Sequence, residues 1–556
     1  MQIPRKEGKN SFKWLMFKIL IITQLLMLIA TSLHTRTPLI WIWAISSFIP
    51  PAIVCVLTDK KRFVIPSLLL LYISQHAIFV FSQSPWGYNS GSDPINDLHV
   101  ATVLSEEPHF TLGQVGYASR LSYSYYPLLH IFTVILSRLS GAPLSFMTVY
   151  FVPFVNSSLV CLFLYLLNKN LFGLYGRERG MATLLFGLCW YYTFFQSAFV
   201  RESFAFPLVL ITLWIFMLIE KRPKVAWAAL LPITFVAVIL SHHISSYMFL
   251  AIIMLLALCY RIFYGNDQLS KPSLLMVVML FAYISFVVMG LFSQQVKNFY
   301  NAFLEISLPG STSIMRPYPV WRTYLARSYY MLIIIFAFIG GLKLLRNWRE
   351  RRNFESITII LFSALIFLLC TLLRLSISAH PWSWTYYMSL RGITWAFIGI
   401  SILILLGVKT SLNLNLDNRI SRKKLFVVIL IICVLAAGKF SQYPLKIDNP
   451  AITPSVTFQW YIAALWLRNE TVHGSYMLVA PYTLDMEAFE ASRSIAPYAY
   501  LKEYFLDEIQ YKNQYEKLIG YIPFVGNFYD QYEGSCSINI FYDNGEAKIG
   551  YKSLHK

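Results

Sequence analysis

Apolar runs of about 20 residues recur along most of this 556-residue chain, and no other feature narrows its fold so far. A helix of that length crosses the hydrocarbon core of a bilayer. In lipid, backbone N–H and C=O groups must find partners within the protein, so a spanning run of this kind folds as a helix. The expected fold is therefore a polytopic α-helical membrane protein with about 13 transmembrane helices. They are placed near 14–33, 38–57, 63–82, 145–167, 181–199, 203–219, 225–241, 244–263, 272–292, 328–345, 355–374, 391–408 and 425–440. Charged residues make up 13% of the chain, against about 25% in soluble domains, which agrees.

The formal net charge is +19. In a soluble protein this would suggest nucleic acid, but here no nucleic-acid partner is expected, because Lys and Arg collect in cytoplasmic loops of membrane proteins. With a cytoplasmic N-terminus, the inner loops hold the basic groups 60–62, 169–179, 221–224, 343–352 and 419–424. The outer loops hold fewer: Arg120, Arg201, Lys297, Arg316, Arg322 and Arg327. The apolar segment 126–140 is too short to cross comfortably and reads as a helix at the outer interface. Counting it as a span would put the later basic loops outside. The first apolar run, after the basic MQIPRKEGKNSFKW, reads as a first transmembrane helix and not a removed signal peptide.

Two regions follow: a transmembrane domain over 1–440 and a polar extracytoplasmic module over 441–556. The module has strand-like runs (SYMLVAP, SINIFYD) and a helical pattern around KEYFLDEIQYKNQYEKL, so a small α/β or mixed fold is expected. Asn469-Glu470-Thr471 fits a glycosylation acceptor on that side. Six of the seven cysteines lie in apolar runs, and no disulfide framework or metal-ligand spacing is visible.

The polar stretch from Ser82 to His130 interrupts this pattern. It gathers Asp93, Asp97, His99, Glu106, Glu107, His109 and Arg120, and a loop this long between apolar segments tends to be functional. Further acids and bases fall on the same predicted side: Arg201 and Glu202, His242 and His243, Arg322 in the long outer loop 293–327, then Arg374, His380 and Arg391. A carboxylate can take a proton from an attacking hydroxyl or amide. Arg and His can hold a phosphate and stabilise charge on a leaving group. An acid with several cations beside lipid suits transfer between a water-soluble acceptor and a lipid phosphate. Each residue also has a plainer reading. Asp93 in GSDPIND suits a helix cap before Pro94. Asp97 and His99 suit exposed loop positions. Arg201 and Glu202 suit an ion pair in a turn, and Arg374 and Arg391 suit snorkelling anchors. A transporter or flippase for a lipid-linked glycan or polyanion stands as the second functional reading, and a non-catalytic scaffold as a third. Few charges lie mid-helix and no repeat is evident, unlike transporters.

An Asp in the first outer loop, followed by SYYPLLHIFTVILSRLSGAPL, resembles the GT-C superfamily of integral-membrane glycosyltransferases. WYIAALWLRNE before SYMLVAP, and the late INIFYDNGEAKIGY, resemble the ends of prokaryotic, especially archaeal, members. The resemblance implies a donor sugar on a polyprenyl phosphate or diphosphate. It implies a glycan, lipid or protein acceptor outside the cytoplasm, and the base or acceptor-orienting role for Asp93. Arg201, His242, His243, Arg374 and Arg391 are the matching candidates for the donor phosphate, with Asp97, His99, Glu202, Arg322 and His380 near by. A divalent cation, Mg or Mn, would use Asp93 and Glu202 if any, but the paired-acid pattern of oligosaccharyltransferases is missing. The tail also lacks their Trp-Trp-Asp type signature, so en bloc transfer to asparagine is not expected.

Overall fold

The computed structural model describes residues 6–33, 39–83, 92–106, 125–221, 225–264, 270–289, 320–346, 360, 363–368, 370, 384–414, 416, 420–441, 476–479, 502–505, 538–543 and 548–552. Helices dominate: α1 (Lys6–Leu33), α2 (Leu39–Ser46), α3 (Ile49–Leu57), α4 (Lys61–Gln83), α5 (Ser92–Glu106), α6 (Leu128–Ser140) and α7 (Leu144–Asn170). Then come α8 (Gly176–Phe186), α9 (Trp190–Gln196), α10 (Arg201–Lys221), α11 (Val225–Ser241), α12 (His243–Tyr264), α13 (Ser270–Phe286), α14 (Val320–Arg346), α15 (Trp384–Ser411) and α16 (Arg422–Phe440). Among the described residues, four stretches are long and apolar enough to cross a membrane: Leu144–Asn170, Arg201–Ile219, Tyr324–Arg346 and Arg391–Ser411. The protein is a mostly helical membrane protein.

Several expected spans differ in detail. The run 38–57 is two helices with a turn at Ser47 and Phe48. Pro50 and Pro51 cause this, since proline lacks an N–H and is accommodated in a first turn. The run 181–199 is likewise broken, at Gly187–Cys189, between α8 and α9. The last eight residues of the expected loop 293–327 form the start of α14. Most of the expected span 355–374 lies outside the described residues, although 363–368 is helical. Near the C-terminus, β1 (Tyr476–Val479) pairs in parallel with β2 (Lys502–Phe505), and β3 (Ile538–Asp543) pairs antiparallel with β4 (Lys548–Lys552). β1 and β3 fall where strands were expected. β2 corrects the helical reading of KEYF, whose Tyr and Phe suit a strand.

The chain divides into two compact units. The first contains residues 1–79, 153–197 and 202–443. Its core includes a backbone-to-backbone crossing of α14 and α15. A Cβ on Gly340 would lie 2.0 Å from the Leu403 carbonyl oxygen, and one on Gly407 would lie 2.0 Å from that of Phe336. Only glycine permits this approach.

The break after α8 leaves backbone carbonyls without helical partners. In a water-poor interior they need others. The Gly187 carbonyl accepts from Lys439 Nζ at 2.6 Å, and the Leu188 carbonyl accepts from the Tyr329 hydroxyl at 2.9 Å. Lys439, fully buried near the end of α16, also donates to Gln75 Oε1 at 2.8 Å and Thr193 Oγ1 at 2.9 Å. Its three N–H groups are thus spent on one irregular segment and on α4 and α9.

The second unit contains residues 80–152, 198–201 and 444–556. Within it α5 packs against α6. Arg138 Nη2 on α6 donates to the Ser105 carbonyl near the end of α5 at 2.8 Å. α6 stops at Gly141, whose φ of +70° is the left-handed conformation glycine adopts without strain.

Candidate active site

The polar stretch after α4 is partly helical: α5 carries GSDPIND into a regular helix from Ser92 to Glu106. Pro94 in its first turn suits that start. Asp93 therefore lies in the first turn of α5, one turn before Asp97. The side chains of Asp93 and His99 lie outside the described residues.

Asp97 is not an exposed loop residue: it is 1% exposed and sits at the centre of a charged cluster in the second unit. Its Oδ1 accepts from His130 Nε2 on α6 at 2.8 Å and lies 3.1 Å from Arg201 Nε. Its Oδ2 accepts from the Arg201 backbone N–H at 3.3 Å. The guanidinium carbon of Arg201 is 6.0 Å from the ring centre of Tyr126, within cation–π range. Arg201 is the first residue of α10, so Asp97 also supplies an acceptor to the open N-terminal end of that helix. A carboxylate is favoured there by the helix dipole.

Burial pushes the His130 imidazole below its ordinary range. The hydrogen bond to Asp97 opposes this in part, and the nearby Arg201 charge adds to the lowering. A neutral ring donating from Nε2 fits the contact, leaving Nδ1 as a buried acceptor with no hydrogen-bond partner among the described residues. One carboxylate, one guanidinium and one neutral imidazole balance in charge, which such a buried group requires. Neither His130 nor Tyr126 was read as a site residue from the sequence; Tyr126 suited an interfacial aromatic. His130 is a lone ionisable residue in the apolar run LLHIFTVIL, and that pattern more often marks packing.

In the first unit, Glu202 Oε2 lies 2.9 Å from Arg391 Nε, with side chains 11% and 17% exposed. Arg201 and Glu202 are adjacent in sequence and pair with Asp97 and Arg391 respectively. Each takes a partner distant in the chain. His242 is buried and precedes α12. Its Nδ1 accepts from the Ser245 backbone N–H at 3.3 Å and lies 2.9 Å from Ser245 Oγ, so this ring caps the helix. The His243 ring stacks obliquely on it at 4.8 Å. Arg322 is buried in the first turn of α14. It donates from Nε to the Ser441 carbonyl at the end of α16 at 3.0 Å and lies 5.4 Å from the Trp41 ring. Arg374 and His380 lie outside the described residues.

The described acids do not fit a divalent cation. Asp97 faces His130 and Arg201, and Glu202 faces Arg391, so each carboxylate already has a cation or donor at it. Among the described residues no group of three His, Cys, Asp or Glu is arranged to hold a metal.

The long apolar helices mark a membrane protein, and its fold is similar to that of solved membrane proteins. Two solved proteins carry that likeness. Archaeal oligosaccharyltransferase AglB from Archaeoglobus fulgidus, in complex with an inhibitory peptide and a dolichol-phosphate, is 15% identical with a TM-score of 0.51. The match covers 80% of this chain and 64% of that one, so it spans less than two thirds of that protein's length. ArnT from Cupriavidus metallidurans, bound to undecaprenyl phosphate, is 12% identical with a TM-score of 0.50, over 88% of this chain and 98% of that one. At these identities the likeness is one of fold. No family model matches the sequence, and no curated protein does.

Proposed function

We propose that this chain is a membrane glycosyltransferase that moves a sugar from a polyprenyl-phosphate or polyprenyl-diphosphate carrier to an acceptor outside the cytoplasm. The observation that supports this most is a GT-C fold in which the helix bearing Asp93 also bears Asp97, buried against Arg201 and His130. The structural neighbours are named as bound to dolichol-phosphate and undecaprenyl phosphate, which suggests the same class of carrier here.

In this reading Asp93 takes the proton from an acceptor hydroxyl or amide as its oxygen or nitrogen attacks the anomeric carbon. The bond from that carbon to the carrier phosphate oxygen breaks, the sugar inverts, and the carrier phosphate leaves with the bonding electrons. Arg201 stabilises that phosphate. Its Nε lies against Asp97, which orients the planar guanidinium, and a guanidinium has five N–H donors to distribute. Asp97 and His130 are positioning residues for Arg201. The roles of His99, Glu202, His242, His243, Arg322, Arg374, His380 and Arg391 at the donor phosphate rest on the sequence pattern.

The test compares wild type, Asp93→Asn and Asp93→Glu in liposomes containing sugar-loaded polyprenyl phosphate. Loss of a general base costs about 100-fold or more. Asp93→Asn should lose that much turnover while keeping donor binding, and Asp93→Glu should keep part of it. Near-normal turnover of a folded Asp93→Asn protein would remove Asp93 from its role.

A further inference from the structure

At the end of α14 and α15 that carries the basic residues, the two helices border a half-open cavity of about 240 Å³. It lies one to two turns beyond the Gly340–Gly407 crossing, where long side chains replace the glycines. Lys343, Leu344, Leu406, Lys409, Thr410 and Leu414 line it. Lys409 is paired with Glu178 and so is offset. Lys343 is exposed and has no ion pair or hydrogen bond among the described residues. Lys424 adds a further cation near the rim, donating from Nζ to the carbonyl of Asn413 at 2.6 Å. The lining thus combines cations with leucine side chains.

Leu344, Leu406 and Leu414 supply the cavity's apolar lining. Clustered Lys and Arg favour the cytoplasmic side, so this end faces the inner leaflet. Basic pockets between helices on that side suit anionic lipid headgroups.

We infer that the cavity between the basic ends of α14 and α15 binds the phosphodiester headgroup of an anionic phospholipid, with Lys343 as its cation. This site does not depend on glycosyl transfer. The leucine wall favours a lipid over free phosphate, and the experiment separates the two.

The full-length protein in detergent is titrated with phosphatidylglycerol, phosphatidylcholine or inorganic phosphate, and bound lipid is counted by native mass spectrometry. Wild type should retain phosphatidylglycerol over phosphatidylcholine. K343Q should weaken that retention about fivefold. T410W, which fills the cavity without changing charge, should abolish the preference. R346Q, a basic change outside the lining, should leave it intact. Inorganic phosphate should displace the lipid poorly. Equal losses in K343Q and R346Q, no headgroup preference, or displacement by inorganic phosphate at matched concentration would each overturn the proposal.

Discussion

Replacing Asp97 by asparagine keeps the shape of the side chain and removes its charge. Arg201, 10% exposed at its side chain, then keeps a positive charge that faces an amide in place of a carboxylate. Breaking one side of a buried ion pair costs about 3–5 kcal/mol, chiefly because the other charge stays buried. The loss should fall at the lower end, near 3 kcal/mol, since Arg201 retains some solvent and the Tyr126 ring face. Replacing Arg201 by glutamine as well removes that stranded charge, so the double variant should recover part of the loss. The assay is equilibrium unfolding in mixed micelles of wild type, Asp97→Asn, Arg201→Gln and the double variant. Coupling of at least about 1 kcal/mol is expected for groups in one network. Additivity within about 0.5 kcal/mol would mean that Asp97 and Arg201 do not share the buried contact and would refute the reasoning.

Four other outcomes follow from the same contacts. Because burial holds the His130 pKa below its ordinary value, the unfolded chain takes up that proton first as pH falls. Stability from neutral His130 is complete above about pH 6.5 and declines below it, and His130→Asn should flatten that acid limb in a pH series of unfolding curves. Lys439→Met strands the Gly187 carbonyl and the Gln75 and Thr193 acceptors, so it should cost about 2–5 kcal/mol, read by the same unfolding assay. Gly407→Leu drives a side chain into the Phe336 carbonyl and should abolish a monodisperse elution profile, whereas Gly341→Ala, with open space at its Cβ, should not. Glu202→Gln should weaken folding through Arg391, and Arg391→Gln in the same background should partly restore it.

The helical membrane class was legible because the apolar runs are long and the charges rare. Hydropathy locates a run but is silent on its continuity, so the breaks at Ser47–Phe48 and Gly187–Cys189 were not anticipated. In the first, Pro50 and Pro51 were the visible cause. In the second, the compensating partners Lys439 and Tyr329 are supplied from remote helices, which no local pattern records. The concentration of acids in the first polar stretch was also legible. The partners were not: Asp97 meets His130 33 residues away and Arg201 104 residues away. Arg201 and Glu202 are adjacent in sequence, yet helix geometry sends neighbouring residues to different faces, where Asp97 and Arg391 meet them. The strand in KEYF was misread as helix because its charged surroundings carry a helical period.

The central claim is transfer of a sugar from a lipid phosphate, and the most direct measurement is the fate of that lipid. Purified full-length protein in liposomes is supplied with polyprenyl phosphate carrying a labelled sugar, together with glycan, lipid and peptide acceptors. The account predicts free polyprenyl phosphate and labelled acceptor in equal amounts, with both lost in Asp93→Asn. Labelled carrier that crosses the bilayer intact, with no product in either protein, would contradict it and make the chain a flippase.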